Sequence, residues 1–269
     1  NVGTALHLQY AFEESSGELM VVAAGDDIST CDRVAALAEA WVSAGCPDGA
    51  LHSGRETFRD GENVGFVPAQ RTKYSDSVLE GFARAHWLPA AAPTCAYTRS
   101  VFERFAPLIG GSIIEDAPLF LRVALLGRFI AIDKPLVRHR VHADNAGTGY
   151  VVGAAPRWNR FIQSKVIAFR TMQRDLADWQ GEIDLTLRRR IERQILKVLR
   201  SSSGLMLPET RFAGLTELSL LALRIATSLA VASSFRLRVE YVLSFFGFEV
   251  HVRLKDYIRR LVKRKAMQN

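Results

Sequence analysis

Cysteine is scarce in this sequence, which has only Cys31, Cys46 and Cys95 among its 269 residues. The three are widely spaced and form no Cys-x-x-Cys pair, so the pattern excludes a disulfide framework. We expect small buried side chains in a reducing compartment. The first residues also lack the basic start and apolar run of a secretory signal peptide. These features together predict a cytoplasmic location.

Long hydrophobic runs are also missing. The most apolar stretch, Leu215 to Phe235, is interrupted by Glu217 and Arg224 and contains recurring Ser and Thr. A membrane-spanning helix needs about 20 mostly apolar residues. The stretch is therefore more typical of a buried or interfacial helix than of a membrane span.

The net charge of +7 is not spread along the chain. Residues 253–265 contain seven basic side chains and one acidic side chain, which account for nearly all of it. A nucleic-acid-binding protein usually carries its basic residues over a working face, so we expect no nucleic-acid partner. Residues 251–265 form a basic amphipathic pattern that predicts either peripheral contact with the inner face of the plasma membrane or a packed helix with a solvated basic face.

Two adjacent carboxylates follow the first strand-like segment. The apolar run Leu19–Ala24 predicts a buried strand, and Gly25-Asp26-Asp27 comes directly after it. Ser29 and Asp32 then suggest a capping box for a helix at about residues 31–44. Asp26 and Asp27 could bind a divalent cation at the strand end. The alternative is that one aspartate caps the helix and the other is solvated.

A second acidic pair, Glu115-Asp116, lies at a predicted helix start, where Pro118 suits the first turn. A carboxylate in this position can accept a proton from a substrate hydroxyl. It can equally serve as an N-cap that accepts hydrogen bonds from the first-turn amides. The spacing alone leaves both interpretations open.

The pattern predicts a hairpin of two strands, Phe129–Ile132 and Leu136–His142. Basic residues alternate along the second strand. Alternation places Arg138, Arg140 and His142 on one face, where they could bind a diphosphate. A solvated edge strand, on which basic residues discourage aggregation, is the alternative.

Helical periodicity dominates after Gly153. The sequence thus predicts an α/β domain over residues 1–153 and a helical region over 154–269. One apolar stripe joins Ile162 to Trp179, and another joins Leu187 to Val198.

Taken in order, these segments resemble the inverting glycosyltransferases with the A-type, Rossmann-like nucleotide-sugar-binding fold, family 2-like. The resemblance covers about residues 1–148 and implies an α/β, Rossmann-like domain that is incomplete at its N-terminus and carries a C-terminal helical extension. It depends on five segments in the same order: Asn1-Val2-Gly3 with Gly17-Glu18-Leu19; Ala24-Gly25-Asp26-Asp27-Ile28-Ser29; Thr98-Arg99-Ser100-Val101-Phe102; Glu115-Asp116 with Leu121-Arg122 and Leu126-Gly127; and Ile132 to His142 with Asn145.

The resemblance implies an enzyme that transfers a sugar from a nucleotide-diphosphate sugar to a saccharide or lipid-linked acceptor, with inversion, in bacterial surface-polysaccharide assembly. Asp26 and Asp27 would hold Mg²⁺ or Mn²⁺, and Asp116 would be the base. Glu115 would position Asp116 or contact the acceptor. A further three residues would contact the metal or diphosphate: Arg138, Arg140 and His142.

The chain departs from the family pattern at Ala24, where the family often has another aspartate. The family's opening strand and base-reading acidic residue have no counterpart before Asn1, so we expect a fragment that could be inactive. Two other functions stay open. One is a non-catalytic membrane-associated or interaction module, in which the acidic pairs are caps. The other is a metal-dependent phosphohydrolase that uses Asp26 and Asp27.

Overall fold

The computed structural model of the chain describes residues 2–59, 61–69, 78–84, 92–142 and 155–203. The chain divides into two compact units, the first of which comprises residues 1–142 and 167–196. The predicted boundary near residue 153 lies outside the described residues, as do the predicted helices beyond residue 203.

A mixed sheet is the centre of the first unit, so the chain is an α/β protein as predicted. The strands are hydrogen-bonded in the order β1-β5-β3-β6-β2. β4 pairs with the part of β3 that follows the part paired with β5. Only β3 and β6 are parallel among these pairs, and the other pairs are antiparallel. The strands are β1 (Leu19–Val21), β2 (Ile28–Ser29), β3 (Ala50–Arg59), β4 (Glu62–Val67), β5 (Cys95–Thr98) and β6 (Phe129–Arg140).

Five helices accompany these strands in the described part of residues 2–142, and two longer ones follow. The five are α1 (Thr4–Glu13), α2 (Arg33–Ser43), α3 (Val78–Ala83), α4 (Ser100–Glu103) and α5 (Asp116–Leu126). The two that follow are α6 (Ala155–Asp178) and α7 (Leu185–Ser203). The predicted apolar stripes of α6 and α7 are confirmed, since Phe169, Met172, Leu176, Ile191 and Ile195 are buried.

The sheet buries apolar side chains on both faces. Cys95 and Tyr97 pack with Phe102 and α5 residues on one face, whereas Ala96 packs with Leu37 and other residues on the opposite face. Successive residues of a strand point to opposite sides, so β5 contributes to both clusters. A strand covered on both faces is expected to be apolar throughout, and Cys95–Thr98 fits this description.

The predicted hairpin in residues 129–142 is wrong, because β6 is one continuous strand. It pairs in parallel with β3 along its length, and the register shifts where Gly54 lies opposite Pro135. Proline has no backbone N–H to donate, so it is accommodated at such an irregularity rather than in a regular ladder. The irregularity replaces the turn that Asp133-Lys134-Pro135 suggested.

The predicted capping box is also wrong. Asp32 is the N-cap of α2, but it makes no side-chain capping hydrogen bond. Its carboxylate is paired instead with Lys134, and the Ser29 hydroxyl accepts a hydrogen bond from Arg33. Asp32 therefore pairs with a residue that is distant in sequence, and Ser29 pairs with a residue of α2. Neither caps the helix.

No helix in the described residues is long and apolar enough to cross a membrane. The apolar stretch Leu215–Phe235 and the basic segment 251–265 lie outside the described residues.

Candidate functional site

The Asp26-Asp27 pair lies in the loop between β1 and β2. The backbone N–H of Asp27 donates to the carbonyl of Ala24 at 3.3 Å, which turns the chain after the strand. The loop is then joined to the end of β6 by several side-chain contacts. It therefore brings the first acidic pair to the C-terminal end of β6 and to His142 just after it.

The two aspartates have different surroundings. The Asp27 side chain is 4% exposed, and its Oδ1 lies 3.1 Å from His139 Nδ1 and accepts the Arg140 backbone N–H at 2.9 Å. The Asp26 side chain is 41% exposed, and its Oδ2 lies 3.0 Å from His142 Nε2. The hydrogen bond with His142 lowers the pKa of Asp26. Asp26 is thus an accessible, ionised carboxylate, whereas Asp27 fastens the loop to β6.

The three basic residues predicted on β6 do not all reach this loop. Arg140 donates from Nε to the Asp26 carbonyl at 3.0 Å, and His142 contacts the Asp26 carboxylate. Arg138 lies 3.8 Å from Glu56 instead. Arg138 and Arg140 both lie over the ring of Phe58, in agreement with their predicted common face. Of the three predicted residues, Arg140 and His142 therefore contact Asp26 among the described residues.

A buried arginine on α2 holds the two ends of the Asp26-Asp27 loop. Arg33, 2% exposed on α2, donates from Nη2 to the carbonyls of Val22 and Pro93, each at 2.6 Å. Its Nη1 donates to the Ser29 hydroxyl at 2.8 Å. Val22 precedes the acidic pair and Ser29 follows it, so one guanidinium holds both ends of the loop.

The second acidic pair lies at the start of α5. Neither Glu115 nor Asp116 is fully exposed, and the Asp116 carboxylate accepts only the neighbouring Ala117 N–H, at 2.8 Å, among the described hydrogen bonds. Glu115 occupies the N-cap position without a side-chain capping bond. Burial raises the pKa of Asp116. Burial, and then the charge of Asp116, raise the pKa of Glu115 to about 7.

Cys95 on β5 is next to the start of the Asp26-Asp27 loop, because its carbonyl accepts the Val22 N–H at 3.1 Å. Burial raises the pKa of the Cys95 thiol to about 12, so the thiol stays neutral. The charges of Asp116 and Arg33 both act on this thiol. Cys95 is therefore the described residue that relates the second acidic pair to the loop that carries the first.

The donor groups near Asp26 suit only one kind of metal site. Among the residues that the structure describes, no three His, Cys, Asp or Glu side chains form a metal-binding group. Asp26 and His142 supply two donors. Mg²⁺ is commonly held by one or two carboxylates together with substrate phosphates and water. One carboxylate and one imidazole do not form an all-protein cage. A cation held here would need phosphate oxygens and water to complete its coordination.

Two charged residues of this region do not stand out in the sequence. Arg33 reads there only as part of a helix start, and Arg55 falls in a segment whose pattern suggests loops and short strands. Both lie close enough to Asp27 for its charge to act on them. Each has an acidic neighbour in the sequence, Asp32 for Arg33 and Glu56 for Arg55, and this pattern gives no signal of burial.

No protein-family model matches the chain, and no curated protein matches its sequence.

Proposed function

We propose that the chain belongs to the inverting, A-type glycosyltransferases with a Rossmann-like fold and transfers a sugar from a nucleotide-diphosphate sugar to a saccharide or lipid-linked acceptor. The proposal depends on the presence of two different carboxylates. Asp26 is accessible, and Asp116 has a pKa that is raised by burial. The Asp116 charge acts on the Cys95 thiol, and the Cys95 carbonyl accepts the N–H of Val22, which precedes the Asp26 loop. A leaving-group site and a base are the two parts that direct displacement requires.

Asp116 is the base in this proposal. An acceptor hydroxyl attacks the anomeric carbon, the bond from that carbon to the diphosphate oxygen breaks, and Asp116 takes the hydroxyl proton. A raised pKa makes the carboxylate a better proton acceptor near neutral pH. Glu115, whose pKa is raised to about 7 by burial and by the charge of Asp116, positions Asp116 or contacts the acceptor.

Asp26, Arg140 and His142 hold the diphosphate end of the donor. Asp26 and His142 would bind Mg²⁺ or Mn²⁺, which supplies Lewis-acid stabilisation of the negative charge that develops on the leaving group. Arg140 is held beside this position by its bond to the Asp26 carbonyl. Asp27 keeps the loop on β6 by accepting the Arg140 N–H. Arg138 pairs with Glu56 and does not take part in donor binding.

The decisive test is the release of nucleoside diphosphate from a panel of nucleotide sugars, with and without Mn²⁺. We expect turnover of one donor that requires the metal and falls by about 10²–10⁴-fold in Asp116→Asn, the contribution typical of a general base. Asp26→Asn should lose the metal-dependent turnover. Asp178→Asn, which removes an exposed carboxylate at the end of α6, is the matched control and should keep full turnover.

Two results would contradict the proposal. One is turnover that neither chelation nor Asp116→Asn affects. The other is folded protein that binds no nucleotide sugar with Mn²⁺ present, which would favour a non-catalytic interaction module in which the acidic pairs serve as caps.

A further inference from the structure

Arg55 occupies the sheet face that Asp27 and His139 share. On β3 it lies opposite Val137 of β6, and Thr57 lies opposite His139. Alternate residues of a strand point to the same side, so Arg55 and His139 project from neighbouring strands onto one face. His139 contacts the Asp27 carboxylate. The Arg55 side chain therefore approaches the floor of the Asp26-Asp27 loop.

The Arg55 guanidinium lacks a partner among the described residues. Its Nε is buried and donates no hydrogen bond. Asp27 is near enough for its charge to act on Arg55, but the two form no ion pair within the described part of the chain. Asp27 instead accepts from Arg140 and contacts His139. Arg55 thus keeps its positive charge and an unused donor beside an occupied carboxylate.

Neighbouring arginines are engaged in different ways. Arg33 uses both terminal nitrogens on backbone carbonyls and Ser29. Arg138 pairs with Glu56 and Arg140 donates to the Asp26 carbonyl. A half-buried cation that forms no ion pair among the described residues carries a desolvation cost that an incoming anion offsets. The planar guanidinium fork is well suited to two oxygens of one phosphate.

We propose that Arg55 binds the diphosphate of the donor nucleotide from the floor of the site, on the side away from Asp26. The inference rests on the proposed function and adds a binding residue to it. Asp26, with its cation, and Arg55 then contact one diphosphate from two sides. The arginine keeps its contact as the bond to the sugar breaks, and so stabilises the negative charge that appears on the diphosphate.

The test measures binding of inorganic pyrophosphate and of five nucleoside diphosphates (UDP, GDP, ADP, CDP and dTDP) by calorimetry in Mg²⁺. We expect Arg55→Met to weaken pyrophosphate, and the tightest of the five, by about 10-fold to 100-fold, because hydrogen bonds to charged groups contribute about 1.5–3 kcal/mol. Arg55→Lys should lose less. Arg59→Met is the matched control, since it removes an exposed arginine from the same strand and should bind as wild type does.

The outcomes distinguish the role of Arg55 from the proposed function. Wild-type binding that Arg55→Met leaves unchanged overturns the role of Arg55 and leaves the proposed function standing. Failure of the wild-type protein to bind pyrophosphate or any of the five nucleotides overturns both. Circular dichroism checks the fold, and Arg55→Gln is measured under the same criteria should Arg55→Met not fold.

Discussion

At the residue scale, environment rather than residue type separates the four acidic side chains of the candidate site. Asp26 and Asp27 are adjacent, yet one side chain is 41% exposed and the other 4%. Glu115 and Asp116 share a region in which burial disfavours the charged form. The sequence identifies these pairs because each borders a strand or helix end. It could not assign their roles, because burial depends on residues distant along the chain.

Glu115 makes stability depend on pH in a direction that can be measured. Its pKa is about 7 in the folded chain against an ordinary 4.5, so the unfolded chain ionises first as pH rises. The free energy of unfolding should therefore fall between about pH 4.5 and pH 7 and level off above that. Asp116, whose pKa is also raised, contributes in the same direction.

Glu115→Gln should remove the part of this pH dependence that belongs to Glu115. At pH 8 the variant should be more stable than wild type by about 2–3 kcal/mol at most, since one pKa unit corresponds to about 1.4 kcal/mol. At pH 4 the two should be equally stable. Urea unfolding across pH 4–8 gives the comparison, with Glu62→Gln on exposed β4 as control. Equal stability of Glu115→Gln and wild type at every pH would contradict the shift.

At the element scale, local patterns locate the helices and strands better than their pairing. The first strand, α2 and the start of α5 lie close to their predicted positions. The long strand β3 is predicted only in part, because its residues beyond Gly54 alternate weakly and depend on pairing with β6. The hairpin predicted in 129–142 fails for the same reason. Arg55 escapes prediction as a consequence, since its position becomes meaningful only once β3 is continuous.

Gly49 is a test of how β3 begins. It has φ +134°, and a Cβ there would lie 2.1 Å from the carbonyl oxygen of Arg128. That same oxygen accepts the Ala50 N–H at 3.1 Å, and Gly49 N–H donates to Thr98 at 2.9 Å. A methyl group at Gly49 therefore displaces backbone that joins β3 to β5 and to the start of β6.

Gly49→Ala should lower the free energy of unfolding by roughly 1–3 kcal/mol more than Gly45→Ala does. Gly45 also has positive φ, at +83°, but no atom lies within 4 Å of the place a methyl group would take there, so it isolates backbone strain from collision. Urea titration of both variants measures the difference. Equal losses would mean that the strand start adjusts freely around residue 49.

At the scale of the whole molecule, one part of the predicted helical region packs in the same unit as the sheet. Residues 167–196 belong to the same compact unit as residues 1–142. Arg122 on α5 and Asp175 on α6 form an ion pair at 2.6 Å, and both side chains are 0% exposed. Arg122 also donates to the carbonyls of Val101 and Ala106. The helix that begins with the candidate base is thus fastened to α6 by a buried charge pair.

Breaking that pair should be more harmful than removing it. Asp175→Leu should cost about 3–5 kcal/mol of unfolding free energy, because it leaves the Arg122 charge buried without a counter-charge. Arg122→Met should cost less, because Arg174 still donates to the Asp175 carboxylate. The double variant should recover most of the loss. Arg104→Met, which removes an arginine from the exposed pair with Asp48, is the control and should cost about 1 kcal/mol or less. Additive losses in the double variant would show that the two charges are not coupled.

The same pair decides whether residues 1–153 can fold alone. A chain ending at Gly153 keeps Arg122 but lacks Asp175, so the buried Arg122 charge loses its counter-charge. We expect this shortened chain to lack a cooperative thermal transition by circular dichroism, whereas the same chain carrying Arg122→Met should regain part of its helical signal. A cooperative transition in the unsubstituted shortened chain would support the boundary at 153 that the sequence predicts. It would also show that α6 and α7 are an appendage to the sheet unit rather than part of its core.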